Sequence, residues 1–432
     1  MSDPTSPDVL VIGGGPAGST AAAMLAMQGR AVTLVEKDAH PRFHIGESLL
    51  PANLAIMARL GVLDEVREIG VHKPGAEFVS DRTGRSCPFP FRHALNRTHT
   101  HAWQVKRAEF DSLLFANARR KGAAAFENTR VTDIAFAPGR RAEVRAKGAA
   151  GGEVVFRPRY VLDASGRDAF LAGRMRVKTA NKYNNTAAMY AHFTGVTRRE
   201  GDLDGYISIH LAEDGWFWLI PLPGGIMSVG FVGNQSAWKG RKGTPQELFR
   251  ERIARSPTVS ARMRQAEIVS EIYATANYSY RARQGSGDGF LMIGDAYGFV
   301  DPMFSTGVLM AMTAGELGAR TAHVWLDDPA RGQRLAQRTS REMARAMDRI
   351  SWLIYRINDP VLRSLFMAPR NTLWMRDGII NMLAGNLRGD PRAAIPVLCF
   401  KAVYHAFSGL HRLGLGPAMP EEGSAHAITA AE

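Results

Sequence analysis

The stretch DVLVIGGGPAGSTAAAMLAMQGRAVTLVEKD, residues 8–38, decides the fold. Asp8 to Ile12 is a short apolar run, read as a buried strand. Residues 16–27 are alanine-rich with helical spacing, and Gly29 ends that helix. AVTLVE, 31–36, is a second strand. Between the first strand and the helix stands GGGPAG, with Gly13, Gly15 and Gly18 in G-x-G-x-x-G spacing and Ala17 among them. The strand before, the helix after, and Glu36 at the end of the second strand make this a dinucleotide fingerprint. Gly13 permits the tight turn and Gly15 the close approach of a pyrophosphate to backbone. Gly18 lets helix and strand pack, and Glu36 is expected to accept ribose hydroxyls.

The chain has 432 residues, enough for two or three packed units. Only Cys87 and Cys399 are present, so a disulfide framework and a C-x-x-C metal knuckle are excluded, which fits a reducing cytosol. No uninterrupted run of 18 apolar residues occurs, so no membrane span is expected, and the first strand leaves no room for a signal peptide. The net charge is +13, and from Arg331 onward 14 Lys+Arg face 8 Asp+Glu, a local net of +6. Such a surface attracts anionic partners. No groove-reading motif accompanies it, so nucleic acid is not an expected partner.

Downstream, 49–66 has helical periodicity, and HAWQVKRAEFDSLLFANARRKG reads as strand then helix. RYVLDASGRDA, 159–169, is a buried strand running into a glycine turn, and 187–233 reads as strands. GFLMIGDAYGFVDPMFSTGVLMAM is strand, loop, helix, and beyond about residue 310 the pattern is mainly helical. The expected boundaries are a discontinuous nucleotide-binding domain over 1–180 and 270–325, a β-rich substrate region over 181–269, a helical segment over 326–415 and a disordered tail over 416–432.

GGGPAG, the DASG of 163–166 and the late GDA of 294–296 together resemble the FAD-dependent monooxygenase superfamily. That resemblance implies an α/β fold: a Rossmann-type FAD-binding domain like that of p-hydroxybenzoate hydroxylase, a β-sheet substrate region and a helical C-terminal segment. It places Asp295 at the ribityl-pyrophosphate part of FAD, Arg107 at the phosphates and Val131 at the adenine. With one fingerprint only, NAD(P)H has no second Rossmann unit to bind, so the flavin is expected to arrive as FADH2 from a separate flavin reductase.

Within that superfamily, Trp216-Phe217-Trp218-Leu219-Ile220-Pro221 fits the W-x-W-x-I-P signature of flavin-dependent halogenases, enzymes of secondary metabolism and antibiotic biosynthesis. FVDPMFSTG, 299–307, fits the family's second pattern through Phe299, Pro302, Ser305 and Gly307. HKPGAEF, 72–78, puts Lys73 before Gly-x-x-Phe as in the phenol and pyrrole halogenases, and FHIGESLLP, 43–51, resembles the segment beside the flavin that includes Ser48. The resemblance implies a halide ion held by backbone N–H groups of the Ser305-Thr306-Gly307 turn. Hypohalous acid formed at the flavin then passes through a tunnel to the catalytic Lys73. Trp216 and Trp218, on one face of a strand, wall the substrate off from the flavin.

Phe304 departs from the tryptophan halogenases, which carry a catalytic glutamate there. Phenols and pyrroles are activated by their own heteroatom, so the departure points to one of these, free or tethered to an acidic carrier protein, rather than to free tryptophan. The alternative activities are those of a related hydroxylase or of a geranylgeranyl-reductase-like oxidoreductase.

Overall fold

The computed structural model describes residues 3–413 and Leu415, apart from 138, 140, 181–185, 235–237, 239–241, 277–278, 358, 388–390 and 414. The expected tail, 416–432, lies outside the described residues.

The opening unit is β1 (Val9–Ile12), α1 (Pro16–Met27) and β2 (Val32–Val35), and every residue of both strands is buried. Apolar runs without alternation belong to strands covered on both faces. β1 pairs in parallel with β2 through Val9–Val32 and Ile12–Val35. The chain then forms α2 (Pro51–Leu60), β3 (Gly70–Lys73), β4 (Gly75–Ser80), β5 (Ser86–Pro90) and β6 (Ala102–Val105). α3 (Arg107–Arg120), β7 (Ala124–Phe126) and β8 (Tyr160–Asp163) return it to the first sheet.

The large antiparallel region follows: β9 (Thr186–Thr194), β10 (Ile207–Leu211), β11 (Gly215–Pro221) and β12 (Met227–Asn234). β13 (Phe290–Met292) rejoins the first sheet. The rest is helical: α4 (Thr306–Asp327), α5 (Pro329–Ile354), α6 (Pro360–Met367), α7 (Met375–Leu383) and α8 (Pro391–Arg412).

Two sheets organise the molecule. A six-stranded sheet has the order 286–287, β13, β8, β1, β2, β7. α4 lies against α1 so closely that a Cβ on Gly315 would sit 2.4 Å from the Ala17 carbonyl oxygen. An eight-stranded sheet runs 267–268, β9, β12, β11, β10, β4, β5, with 273–276 also pairing β9. β10 pairs with β4 in parallel, from Ile207–Ala76 to Leu211–Ser80. The eight-stranded sheet therefore takes strands from the first quarter of the chain, which the sequence reading gave to the nucleotide-binding domain, as well as from the β-rich middle.

β11 is buried along its whole length and serves two cores. Trp216, Trp218 and Ile220 join the main core, while Phe217 and Leu219 pack into a second one with Phe231, Phe249 and Val259. Strand alternation sends neighbours to opposite faces, and this strand is covered on both. One helical stretch, Ala393–Arg412, is long and apolar enough to cross a membrane by length and composition, with 28% of its apolar window buried. Lys401 and His405 interrupt it in sequence, so it forms no unbroken apolar run. A single helix of this kind is weak evidence of a span.

Candidate functional site

The glycine turn is shaped by close contacts. Gly13 has φ +104°, and a Cβ there would lie 2.3 Å from the Ala164 carbonyl oxygen. On Gly18 it would lie 1.9 Å from the Gly13 carbonyl oxygen. Gly15 differs: among the described residues other than its chain neighbours, the only atom within 4 Å of its absent Cβ is Arg42 Nη2, at 3.8 Å. Gly13 and Gly18 are thus demanded by the fold, whereas Gly15 leaves space over the N-terminus of α1, where anions are favoured. Glu36 is buried and braces the turn, its Oε2 accepting the Gly14 N–H at 2.7 Å and Arg42 Nη2 at 3.2 Å.

Two adjoining cavities start from this turn. One, of about 570 Å³, is bordered by Gly13, Glu36 and Val131. The other, of about 170 Å³, is bordered by Gly15, Ala17, Ser48, Arg107 and, opposite, Trp216 and Trp218. His44, Arg167 and Asp295 border both. Burial raises the Asp295 carboxyl to about 6, against the pull of Arg107 and Arg167. Burial, aided by Arg107 and Arg42, lowers the His44 imidazole to about 3, so it is neutral near pH 7. Arg107 opens α3, donates to the Ile45 carbonyl at 2.7 Å and holds Asp111 through two bonds of 2.8 and 2.9 Å.

Phe299, Pro302, Ser305 and Gly307 border the second cavity as well. Ser305 is left-handed, φ +57°, and this turn starts α4 at Thr306. The first N–H groups of a helix have no intrahelical acceptor, so those of Thr306 and Gly307 are donors available at this end of α4. Among the described residues outside its own helical turn, no atom lies within 4 Å of where a Gly307 Cβ would be. Thr306 is 1% exposed and its Oγ1 lacks a partner among the described residues, as do the buried Ser48 Oγ and Glu47 Oε2. The residues fit FAD: open space over Gly15 and Gly307, a helix N-terminus at each, and buried polar atoms awaiting partners at the wall.

Trp216 and Trp218 sit with ring centroids 5.8 Å apart, and Trp218 Nε1 donates to Ser228 Oγ at 3.2 Å. A Cβ on Gly230 would lie 2.2 Å from the Trp218 ring, so the neighbouring strand is bare where the indole lies. Lys73, at the end of β3, is 1% exposed. Its Nζ donates to the Leu49 carbonyl at 2.8 Å and lies 5.1 Å from the Phe91 ring centre. Among the described residues it forms no ion pair. Burial lowers it to about 7. A solvated surface lysine is excluded. Lys73 nevertheless borders neither cavity; it lies one residue behind the Ser48 wall. Phe304 also borders neither, and packs among Phe78 and Phe366.

Two residues escaped sequence reasoning. Glu47 Oε1 and His192 Nε2 are 2.7 Å apart beside the second cavity. Glu47 lies in the 43–51 segment already singled out, but nothing in the local pattern around His192 distinguishes it from a strand residue.

The family model described as an FAD binding domain matches residues 6–349. A tryptophan 2-halogenase of Chondromyces crocatus is 34% identical over 324 residues, 74% of this chain and 61% of that protein. A 1H-pyrrole-2-carbonyl-[peptidyl-carrier protein] chlorinase of Pseudomonas fluorescens is 31% identical over 72% of this chain and 74% of its own length. The crystal structure of a flavoprotein/dehydrogenase from Cytophaga hutchinsonii superposes with a TM-score of 0.86 at 29% identity, covering 95% of this chain and 99% of that one. The chain spans roughly two thirds of the length of the curated relatives it matches, from 61 to 74%.

Proposed function

The chain belongs to the flavin-dependent halogenase family of FAD-binding proteins, and from that premise we propose that it installs chlorine or bromine on an electron-rich phenol or pyrrole. The observation that carries this reading is Lys73: a buried, unpaired lysine set apart from the flavin cavity by its wall. An isolated buried cation is costly, and a core position has no need of one.

When bound, reduced FAD supplies the electrons with which O2 and a halide give hypohalous acid. The chain's own residues do the rest. The Thr306 and Gly307 N–H groups hold the halide, and Trp216 with Trp218 keeps the substrate ring from the oxidant formed at the flavin. Near pH 7 Lys73 is poised between its two forms. As ammonium it donates a hydrogen bond to hypohalous acid. As amine it takes the halogen, forming N–X while the acid's oxygen leaves as water. The ring carbon then takes the halogen, its proton is released, and the amine N–H is restored. Glu36, Arg107, Val131 and Asp295 are assigned to the FAD, the last beside the ribityl-pyrophosphate.

For the substrate, the Pseudomonas relative is named for a carrier-bound pyrrole and the Chondromyces relative for tryptophan. Phe304 offers no base for an indole proton, which favours the phenol or pyrrole. The partners proposed are a separate flavin reductase and, for a tethered substrate, an acidic carrier protein. The test is mass spectrometry of products from FADH2, O2 and bromide with a panel of phenols and carrier-bound pyrroles. Brominated product should form and should vanish in Lys73→Ala while FAD binding is kept. One observation favours a second reading, a flavin dehydrogenase or hydroxylase: the extent of the match to the Cytophaga flavoprotein. Unbrominated oxidised product in the same assay would select it.

A further inference from the structure

A buried carboxylate beside the second cavity is only half satisfied. Glu47 is 1% exposed, and its main chain is fixed by the Val105 N–H, which donates to the Glu47 carbonyl at 2.8 Å. Its Oε1 meets His192 Nε2 at 2.7 Å. Its Oε2 is buried without a partner among the described residues, and the residue borders the cavity. Such an atom is costly to bury and calls for a reason. His192 comes from β9. Its main-chain N–H donates to Ser270 Oγ at 2.9 Å, and its ring stands edge-on to Phe43 with centroids 5.4 Å apart. The His192 side chain keeps 13% of its surface exposed. Nδ1, which makes no bond among the described residues, is the ring nitrogen left for solvent.

The reaction needs what such a pair can carry. When reduced FAD, O2 and a halide give hypohalous acid, oxidised FAD and water, O2 takes four electrons, two from the flavin and two from the halide. The flavin gives up two protons, but hypohalous acid and water together hold three hydrogens. One proton must therefore reach the cavity from solvent in each turnover. The other titratable groups bordering the cavity are less suited to bring it. Arg107, which faces Glu47, and Arg167 keep their charge. His44, lowered by burial to about 3, has no proton to give near pH 7. Burial raises the Tyr190 hydroxyl, which also faces Glu47, above its ordinary value, so it keeps its proton. Asp295 is assigned to the FAD.

We propose that His192 and Glu47 form a proton relay from solvent to the flavin cavity. Nδ1 takes a proton from water, Nε2 gives its own to Oε1, and the carboxyl turns to present that proton on the cavity side, where oxygen derived from O2 takes it up. Glu47 is then a carboxylate again and His192 a neutral ring, and exchange between the ring's tautomers restores Nε2–H. A carboxylate kept only to hold the cofactor needs no base at 2.7 Å behind it. A pair kept only for stability would not leave Oε2 empty. The relay rests on the proposed halogenase activity, since peroxide release from FADH2 and O2 consumes no such proton.

Two readouts on the FAD-loaded full chain test the relay. The first is independent of turnover: carbethoxylation by diethyl pyrocarbonate, located by mass spectrometry. His192 should be modified, as the exposed His405 is, because Nδ1 reaches solvent. A His192 ring that stays unmodified overturns the relay at its solvent end. The second is the rate of bromination in single turnovers from FADH2, O2, bromide and a phenol or pyrrole that wild type brominates. His192→Gln keeps a donor for Oε1 but carries no proton, and should slow bromination about tenfold or more. Glu47→Gln should do the same, and each variant should bind FAD as wild type does. His192→Ala should be as slow, and imidazole in the buffer should restore part of its rate, which a purely structural contact would not allow. Bromination at the wild-type rate in His192→Gln, no rescue of His192→Ala, or loss of FAD from Glu47→Gln overturns the relay and leaves the halogenase reading standing. Absence of any brominated product from wild type removes that reading, and the relay with it.

Discussion

Replacing Lys73 by methionine should make the protein more stable while ending halogenation. A fall from 10.5 to about 7 for this side chain corresponds to about 5 kcal/mol at ~1.36 kcal/mol per pH unit. That is the cost of burying the charge relative to the unfolded chain, and it is borne at every pH below about 7. Methionine removes it but leaves the Leu49 carbonyl, now bonded at 2.8 Å, without its donor, which costs about 1–3 kcal/mol. The net gain near pH 7 is about 2–4 kcal/mol. The sign of the pH dependence follows from the lowered pKa. Below about pH 6 the lysine is charged in both states and the cost is constant. Between the folded value and 10.5 only the unfolded chain keeps the proton, so wild-type stability rises with pH. From pH 7 to 9 wild type should gain about 2 kcal/mol on Lys73→Met. Urea unfolding of both proteins at saturating FAD, at pH 6, 7, 8 and 9, measures the gap. A gap that does not change with pH would refute the lowered pKa and with it the reason for placing the amine form of Lys73 in the mechanism.

Three further outcomes are expected. Gly307→Ala meets no atom within 4 Å among the described residues outside its own helical turn, so its melting temperature should match wild type while the halide KM rises about tenfold or more, as steady-state kinetics against bromide will read. Trp218→Ala should cost about 3–5 kcal/mol and let hydroxylated product appear beside brominated product, measured by mass spectrometry; an unchanged product ratio would remove the wall assigned to it. If the substrate arrives on an acidic carrier, the stretch from Arg331 onward, with its net of +6, should favour the carrier-bound acyl group over the free acid at low salt, with the preference fading as salt rises; equal turnover of both at all salt concentrations points to a free phenol.

The parts of the molecule legible from sequence are those that local chemistry dictates. Gly13 and Gly18 are fixed by contacts under 3 Å within or beside their own βαβ unit, and the W-x-W-x-I spacing places three side chains on one face because strand geometry leaves no choice. Other features needed the fold. That Lys73 is buried depends on β3 meeting the Leu49 carbonyl and the Phe91 ring, and no property of HKPG tells a buried lysine from a solvated one. The pairing of Glu47 with His192 spans 145 residues. The pairing of β10 with β4 is likewise invisible in either segment, because two buried strands read alike whichever sheet they join. Phe366 lies in a helix whose periodicity shows only that one face is apolar, without saying that its ring meets those of Phe78 and Phe304.

The order of the six-stranded sheet has a consequence for synthesis. Its central strands come from residues 9–12, 160–163 and 290–292. The first strand to leave the ribosome therefore waits for more than a third of the chain before its neighbour β8 exists, and β8 waits until past the middle of the chain for β13. Until β13 is made, β8 exposes an unpaired edge of Val161, Leu162 and Asp163, the kind of surface that recruits other chains. The flavin cavities reach completion later still, since Asp295 and the start of α4 follow β13. Flavin supply during expression should then govern the yield of soluble protein: cells starved of riboflavin should shift this chain into aggregates before they lower the activity of what remains soluble.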